Sequence, residues 1–203
     1  MKFRLHPVLL PFFLFLIMTG SISIYALIFI SLLIHEMGHL IAAYVTGMRV
    51  RSCVIMPYGG ELIISNRQLE PKKKRIIVAL GGPLATGLLL ALATWIEFPG
   101  DDQVIRIQVA LLVLNLLPIL PLDGGQVICA LLETDGSEYR TRALVLVHSM
   151  LFIAAAILLL ICGLPKTIPY ILLALFLLIQ NITAFRFRKY EKAYTEIKLK
   201  QLT

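Results

Sequence analysis

The chain has 203 residues, of which 59% are hydrophobic and 15% charged, and a mean hydropathy of +0.87, values that exclude an ordinary soluble domain. Its formal net charge is +7, which basic loops beside anionic lipid explain without a nucleic-acid partner. The three cysteines lack CxxC spacing and indicate neither a disulfide framework nor a thiolate metal site. The composition predicts an integral membrane protein.

Apolar segments that suit a bilayer recur along the chain. They lie near residues 8–18, 21–46, 76–96, 104–132, 143–163 and 168–185. Lys2 and Arg4 precede the first segment, but no small-residue cleavage site follows, so we expect a retained span rather than a signal peptide. The predicted fold is an all-α polytopic membrane protein with about six transmembrane helices.

A polar stretch from Arg49 to Arg75 separates the second and third segments. Its core, "VIMPYGGELIIS", places β-branched residues around a proline and two glycines, which predicts a short membrane-associated β-hairpin. Non-helical backbone is tolerated at membrane depth only where protein buries it or where it lines a water-filled cavity. We therefore expect the hairpin to lie beside such a cavity.

The basic residues predict the orientation. With six spans, all but two of the 19 Lys and Arg fall on one side, and cytoplasmic loops are enriched in these residues. We therefore expect both termini in the cytoplasm. Residues 1–185 form the predicted six-span domain, and residues 186–203 form a short basic tail. The tail suits an amphipathic helix on anionic lipid, with a protein partner as the alternative.

The segment "LLIHEMGHLI", residues 32–41, places ionisable side chains inside an apolar run, and such side chains within a membrane usually mark a functional site. Because residues four apart share a helix face, His35 and His39 can bind one metal ion. This is the HExxH pattern, in which the histidines bind Zn²⁺ and the glutamate, here Glu36, is a general base. The alternative is a pair of helix-packing histidines with an ion-paired glutamate.

A catalytic zinc ion commonly has three protein ligands, and Asp123 in "NLLPILPLDGGQ" is the best third candidate. The prolines of this motif interrupt a helix, which allows the carboxylate to turn inward. The alternative for Asp123 is a helix cap at a proline-rich turn. His6, at the membrane edge, and His148, alone on an apolar span, are the alternative ligands.

Four motifs together carry a family resemblance: "HEMGH", "PYGG", "GGP" and "NLLPILPLDGG". With them the chain resembles the site-2 protease family of intramembrane zinc metalloproteases over nearly its whole length. Without an inserted PDZ domain, it most resembles a sporulation branch that processes the membrane-associated precursor of a late sigma factor. Members of that branch carry a C-terminal CBS domain, whereas this sequence ends soon after its last span, at Thr203.

The resemblance implies roles for particular residues. Zn²⁺ would be the cofactor, and Glu36 would take a proton from water and return it to the leaving amine. Asn115 and Pro118 would position the substrate peptide. Tyr58, Gly59 and Gly60 would offer a strand edge to which an unwound substrate can pair.

The resemblance also implies a setting. The substrate would be a membrane-associated protein, such as a sigma-factor precursor, and an inhibitory membrane protein is an expected partner. The location would be a bacterial cell membrane, in the sporulation branch the mother-cell membrane around the forespore. The glycine-rich segment "GGPLATG", residues 81–87, is expected to serve helix packing.

Two other classes of protein place such groups in a membrane. A zinc transporter would need further ligands along its path, which the spans scarcely offer. A non-enzymatic helix-binding chaperone would not need a glutamate between the histidines. The sequence therefore favours an intramembrane protease.

Overall fold

The structure is a computed structural model that describes residues 2–5, 22–56, 59–64, 70–96, 100–134 and 138–202. The chain divides into two compact units, Met1–Leu116 and Leu117–Thr203. The predicted first span, residues 8–18, lies outside the described residues, as do His6 and Tyr58.

The described part of the first unit contains a three-stranded sheet and three helices. In chain order the elements are β1 (Lys2–Leu5), α1 (Ile22–Val45), β2 (Val50–Met56), β3 (Gly59–Ile64), α2 (Lys72–Trp95) and α3 (Asp101–Leu116). Strand β2 lies in the middle, parallel to β1 and antiparallel to β3. The β2–β3 pair occupies the stretch for which we expect a hairpin, and its association with a membrane stays a prediction.

Helix α1 ends at a glycine. Gly47 has a φ of +71°, a conformation that favours glycine because a Cβ atom would be strained there. The Gly47 N–H donates to the Tyr44 carbonyl at 3.1 Å, and the Met48 N–H donates to the Ala43 carbonyl at 2.9 Å, which together form a Schellman motif. Met48 then packs with Ala43 and Val78, so the motif ties the end of α1 to α2.

Helices α1 and α2 meet at two glycines. A Cβ atom on Gly38 would collide with the carbonyl oxygen of Gly81, and one on Gly81 would lie 2.6 Å from the carbonyl oxygen of Gly38. Small residues allow helix backbones to approach this closely. Gly81 thus has the packing role that we expect of the glycine-rich segment, and the contact lies within the HExxH motif itself.

The described part of the second unit is helical, with α4 (Asp123–Leu132), α5 (Glu138–Ile161) and α6 (Ile168–Leu202). The apolar segment 104–132 is not one helix, because α3 ends at Leu116 and α4 begins at Asp123. Proline lacks a backbone N–H and disfavours helix at the residue before it, so Pro118 and Pro121 explain the interruption. Helix α6 continues past residue 185 without a break.

Four helices in the described residues are long and apolar enough to cross a membrane. They are Ser23–Val45, Lys72–Trp95, Tyr139–Ile161 and Ile168–Arg188. These helices correspond to the second, third, fifth and sixth predicted spans. The mostly helical, membrane-spanning character is therefore confirmed, whereas the count of six spans stays a prediction.

Candidate metal centre

His35 and His39 lie one turn apart on α1 and are buried, with 3% and 9% of their surfaces exposed. Their ring centroids are 4.8 Å apart with the rings nearly perpendicular, and the two Nε2 atoms are 3.2 Å apart. Two nitrogens bound to one tetrahedral Zn²⁺ at about 2.0–2.1 Å would themselves be about 3.3 Å apart. The spacing of the two nitrogens therefore fits a shared zinc ion.

The opposite ring nitrogens are held by α2. His39 Nδ1 lies 2.7 Å from the carbonyl oxygen of Val78, and a carbonyl can only accept, so Nδ1 carries the proton. The Gly82 N–H also approaches this Nδ1, at 3.2 Å, but the shorter contact decides the tautomer. His39 Nε2 is consequently the nitrogen with the lone pair, as a metal ligand requires.

His35 is held in a comparable way. Its Nδ1 lies 2.9 Å from Oγ1 of Thr86, a side chain that is 1% exposed. A threonine hydroxyl can accept from a protonated Nδ1, which leaves the lone pair on Nε2. Partners of this kind fix the orientation of metal-binding histidines.

Gly82 keeps space open beside the histidine pair. A Cβ atom at this position would collide with the Nε2 atoms of both His35 and His39. The two nitrogens that suit a metal ion therefore face a position where this chain has no side chain. A metal ion could occupy that space.

Glu36 and Asp123 are the two acidic residues of the predicted metal site. Glu36 follows His35 on α1 and is half-buried. Asp123 is the first residue of α4, in the second unit, and is 6% exposed. Leu122 occupies the N-cap position of α4, and Asp123 lies in the first turn of that helix. Asp123 offers a buried carboxylate oxygen, and His35 and His39 offer buried nitrogens, the donor types that zinc binds.

The other predicted site residues lie on several elements. Asn115, on α3, is half-buried and donates from Nδ2 to the Leu111 carbonyl at 3.0 Å. Pro118 precedes α4 and is half-buried. Gly59 and Gly60 begin β3, opposite Met56 and Ile55 of β2. The alternative ligand His148 is exposed on α5. Roles for these residues stay predictions.

The sequence did not identify Gly82, Thr86 or the Val78 carbonyl as parts of this site. All three belong to α2, and the glycine-rich segment had suggested only helix packing. The available signal was spacing, because Gly82 and Thr86 are four residues apart and share a helix face. That spacing gains meaning only once α2 is known to cross α1 at Gly38.

Comparisons with known proteins agree with this chemistry. Peptidase family M50 matches residues 23–99, which include both histidines, Glu36, Gly82 and Thr86. Stage IV sporulation protein FB of Bacillus subtilis (strain 168) is 26% identical over 94% of this chain and 68% of its own length. A zinc metalloprotease of Methanocaldococcus jannaschii is 27% identical over 61% of this chain and 41% of its own length.

A solved structure has the same fold. The site-2 protease from Methanocaldococcus jannaschii superposes with a TM-score of 0.68 over 90% of each chain, at 20% sequence identity. Zinc is the cofactor that suits the spacing of the His35 and His39 nitrogens, and relatives of the chain are zinc metalloproteases. Residues 23–99 therefore match Peptidase family M50, and the chain shares the fold of a site-2 protease.

Proposed function

We propose that the chain is an intramembrane zinc metalloprotease that hydrolyses a peptide bond of a membrane-associated protein, within or near the bilayer. The observation that carries this proposal is the buried His35–His39 pair, whose Nε2 atoms are 3.2 Å apart. The pair lies on a helix of membrane-spanning length, Ser23–Val45. His35 lies near the middle of that span, so the chemistry belongs close to the bilayer midplane.

His35, His39 and Asp123 would hold the zinc ion, Asp123 as the third ligand. When bound, Zn²⁺ supplies a Lewis acid that polarises a carbonyl group and makes a water molecule acidic near neutral pH. Glu36 accepts the proton of the attacking water and returns it to the leaving nitrogen. Its partial burial supports this role, because a general base must reach both water and the peptide.

The substrate would bind as an extended strand. Among the described residues β3 is an outer strand of the sheet, and a substrate strand added to it would gain main-chain hydrogen bonds. Gly59 and Gly60 lack side chains that would obstruct this approach, and Tyr58, which precedes them in the sequence, is the third residue that the resemblance assigns to substrate binding. Asn115 and Pro118 would position the peptide around the scissile bond.

The substrate class follows from the resemblance to the sporulation protein. We propose a sigma-factor precursor as the substrate, and the mother-cell membrane around the forespore as the location. An inhibitory membrane protein would regulate the enzyme. The chain would cross the membrane six times within residues 1–185, with both termini in the cytoplasm. Residues 186–203 would contact anionic lipid, and no nucleic acid is involved.

A cleavage assay tests the proposal. Purified protein in detergent is incubated with a membrane-tethered reporter, with and without a zinc chelator, and zinc flux is measured in liposomes. We expect cleavage that the chelator abolishes and that added zinc restores, without flux. Flux without cleavage would identify a transporter instead, and reporter binding without either would identify a helix-binding protein.

A further inference from the structure

The chain just before Asp123 is held by two buried side chains from α5 and α6. The N–H of Leu120 donates to Oγ of Ser149 at 3.0 Å, and the carbonyl oxygen of Leu120 accepts from Nδ2 of Asn181. Ser149 and Asn181 are 0% and 1% exposed. Both polar groups of one residue's backbone are thus fixed from helices that lie far away in sequence.

Further hydrogen bonds orient the Ser149 and Asn181 side chains towards Leu120. Ser149 Oγ donates to the Val145 carbonyl at 2.8 Å, which turns a lone pair towards the Leu120 N–H. Asn181 Nδ2 also donates to the Leu177 carbonyl at 2.9 Å, so both amide hydrogens are used.

The oxygen of the Asn181 amide has a different environment. Oδ1 is buried with no hydrogen-bond partner among the described residues, and such an unpaired group costs about 1–3 kcal/mol. A leucine of similar size would avoid this cost but could not bond to Leu120. The bond to Leu120 is therefore what the asparagine provides.

The connection from Leu120 to Asp123 is short and constrained. The N–H of Leu122 donates to the Ile119 carbonyl at 2.9 Å, and Gln126 Nε2 donates to the Pro121 carbonyl at 2.7 Å. A Cβ atom on Gly125 would collide with the backbone of Ile119, so the first turn of α4 lies directly against this segment. A displacement of Leu120 would therefore displace Asp123.

We propose that Asn181 and Ser149 are positioning residues that set the Asp123 carboxylate for zinc binding through the backbone of Leu120. The inference rests on the proposed function, in which Asp123 is the third ligand. Neither residue need touch the metal or the substrate. Loss of partners that support a metal ligand typically weakens metal binding by about 10–100-fold.

The test measures zinc affinity by chelator competition on the purified full chain, together with the visible absorption spectrum of the Co²⁺-loaded form. The Asn181→Leu variant removes the amide at nearly constant volume. Gln180→Leu is the matched control, because it removes an amide from the neighbouring position of α6. We expect about tenfold weaker zinc binding and a changed Co²⁺ spectrum for Asn181→Leu, and wild-type values for Gln180→Leu.

A double-mutant cycle separates positioning from a general structural effect. If Asn181 acts through Asp123, Asn181→Leu should weaken zinc binding no further in an Asp123→Asn background. An additive loss would overturn the inference. Wild-type affinity in Asn181→Leu, alongside weakened binding in Asp123→Asn, would also overturn it and leave the proposed function intact. Wild-type affinity in Asp123→Asn would instead refute the ligand assignment and, with it, this inference.

Ser149→Ala provides a second variant in case Asn181→Leu does not fold. It removes the hydroxyl oxygen that accepts from the Leu120 N–H. Its zinc affinity is measured in the wild-type and Asp123→Asn backgrounds, as for Asn181→Leu. Monodispersity in detergent and the thermal unfolding midpoint establish folding for each variant. Weakened zinc binding that disappears in the Asp123→Asn background supports the proposal, whereas unchanged or additive behaviour overturns it.

Discussion

His39 donates from Nδ1 to the carbonyl oxygen of Val78, 2.7 Å away, and this bond turns Nε2 towards His35. The acceptor is a backbone atom, so α2 orients the histidine without a particular side chain at position 78. The same helix supplies Thr86 to His35 and leaves the space at Gly82. One face of α2 thus orients both histidines of α1 and leaves space beside their Nε2 atoms.

Substituting Gly82 should weaken zinc binding, whereas a nearby glycine should tolerate the same change. In Gly82→Ala the new methyl group would collide with both Nε2 atoms, so we expect at least about tenfold weaker zinc binding and loss of cleavage. Gly87→Ala is the control on the same helix, because a Cβ atom there meets nothing within 4 Å. Equal zinc affinity of the two variants in chelator competition would show that the space beside the histidines is not the metal position.

Thr86 should act on zinc affinity through its hydroxyl group. Thr86→Val keeps the shape but removes the hydrogen bond to His35 Nδ1, and we expect zinc binding about tenfold weaker than in the wild type. Thr86→Ser keeps the hydroxyl and should retain most of the affinity. If valine and serine give the same chelator-competition curves, the hydroxyl does not orient His35.

A buried amide that bonds to Ser31, one helical turn before His35, gives a prediction about stability. Gln108 is 0% exposed and donates from Nε2 to Ser31 Oγ at 2.6 Å, while its Oε1 lacks a hydrogen-bond partner among the described residues. Gln108→Leu removes that unpaired oxygen, and Ser31 still donates to the Leu27 carbonyl. We therefore expect a free energy of unfolding equal to or above that of the wild type.

Ser31→Ala tests the same hydrogen bond from its other side. It leaves the Gln108 amide without its acceptor, and we expect a loss of about 1–3 kcal/mol. Unfolding of both variants in the same detergent provides the comparison. A larger loss in Gln108→Leu than in Ser31→Ala would contradict this interpretation of the pair.

Reporter fusions should locate the loops. Fusions after Glu70, Arg140 and Lys200 are expected to be cytoplasmic, and one at Asp101 should lie on the opposite side, because the basic residues concentrate on one side of six spans. The measurement compares a reporter active only in the cytoplasm with one active only outside it. A Glu70 fusion outside the cytoplasm would reverse the proposed orientation.

Local spacing predicted part of the site. His35 and His39 share a helix face whatever the rest of the chain does, so their pairing followed from the sequence. Their partners Thr86 and Val78 lie 51 and 39 residues away, and only the close crossing of Gly38 and Gly81 brings them near.

The same limit applies to the second unit. The prolines of "NLLPILPLDGG" predicted an interruption in the apolar segment, and the start of α4 at Asp123 agrees with it. Asn181 and Ser149 gave no comparable signal, because they bond to the backbone of Leu120 rather than to a chemically distinctive side chain. Contacts to backbone atoms are hard to predict from a single sequence, because every residue type has the same backbone groups.

Zinc content and cleavage measured together on the Glu36→Gln variant decide whether this chain is a zinc protease of the proposed kind. Glutamine keeps the shape of the side chain but cannot accept the proton, so we expect about one zinc ion per chain, as in the wild type, and cleavage of a membrane-tethered substrate slowed by about 10²–10⁴-fold. Glu70→Gln, which alters a partly exposed ion pair with Lys74, should cleave like the wild type. Rapid cleavage by Glu36→Gln, or wild-type cleavage that persists after zinc removal, would contradict the proposed mechanism.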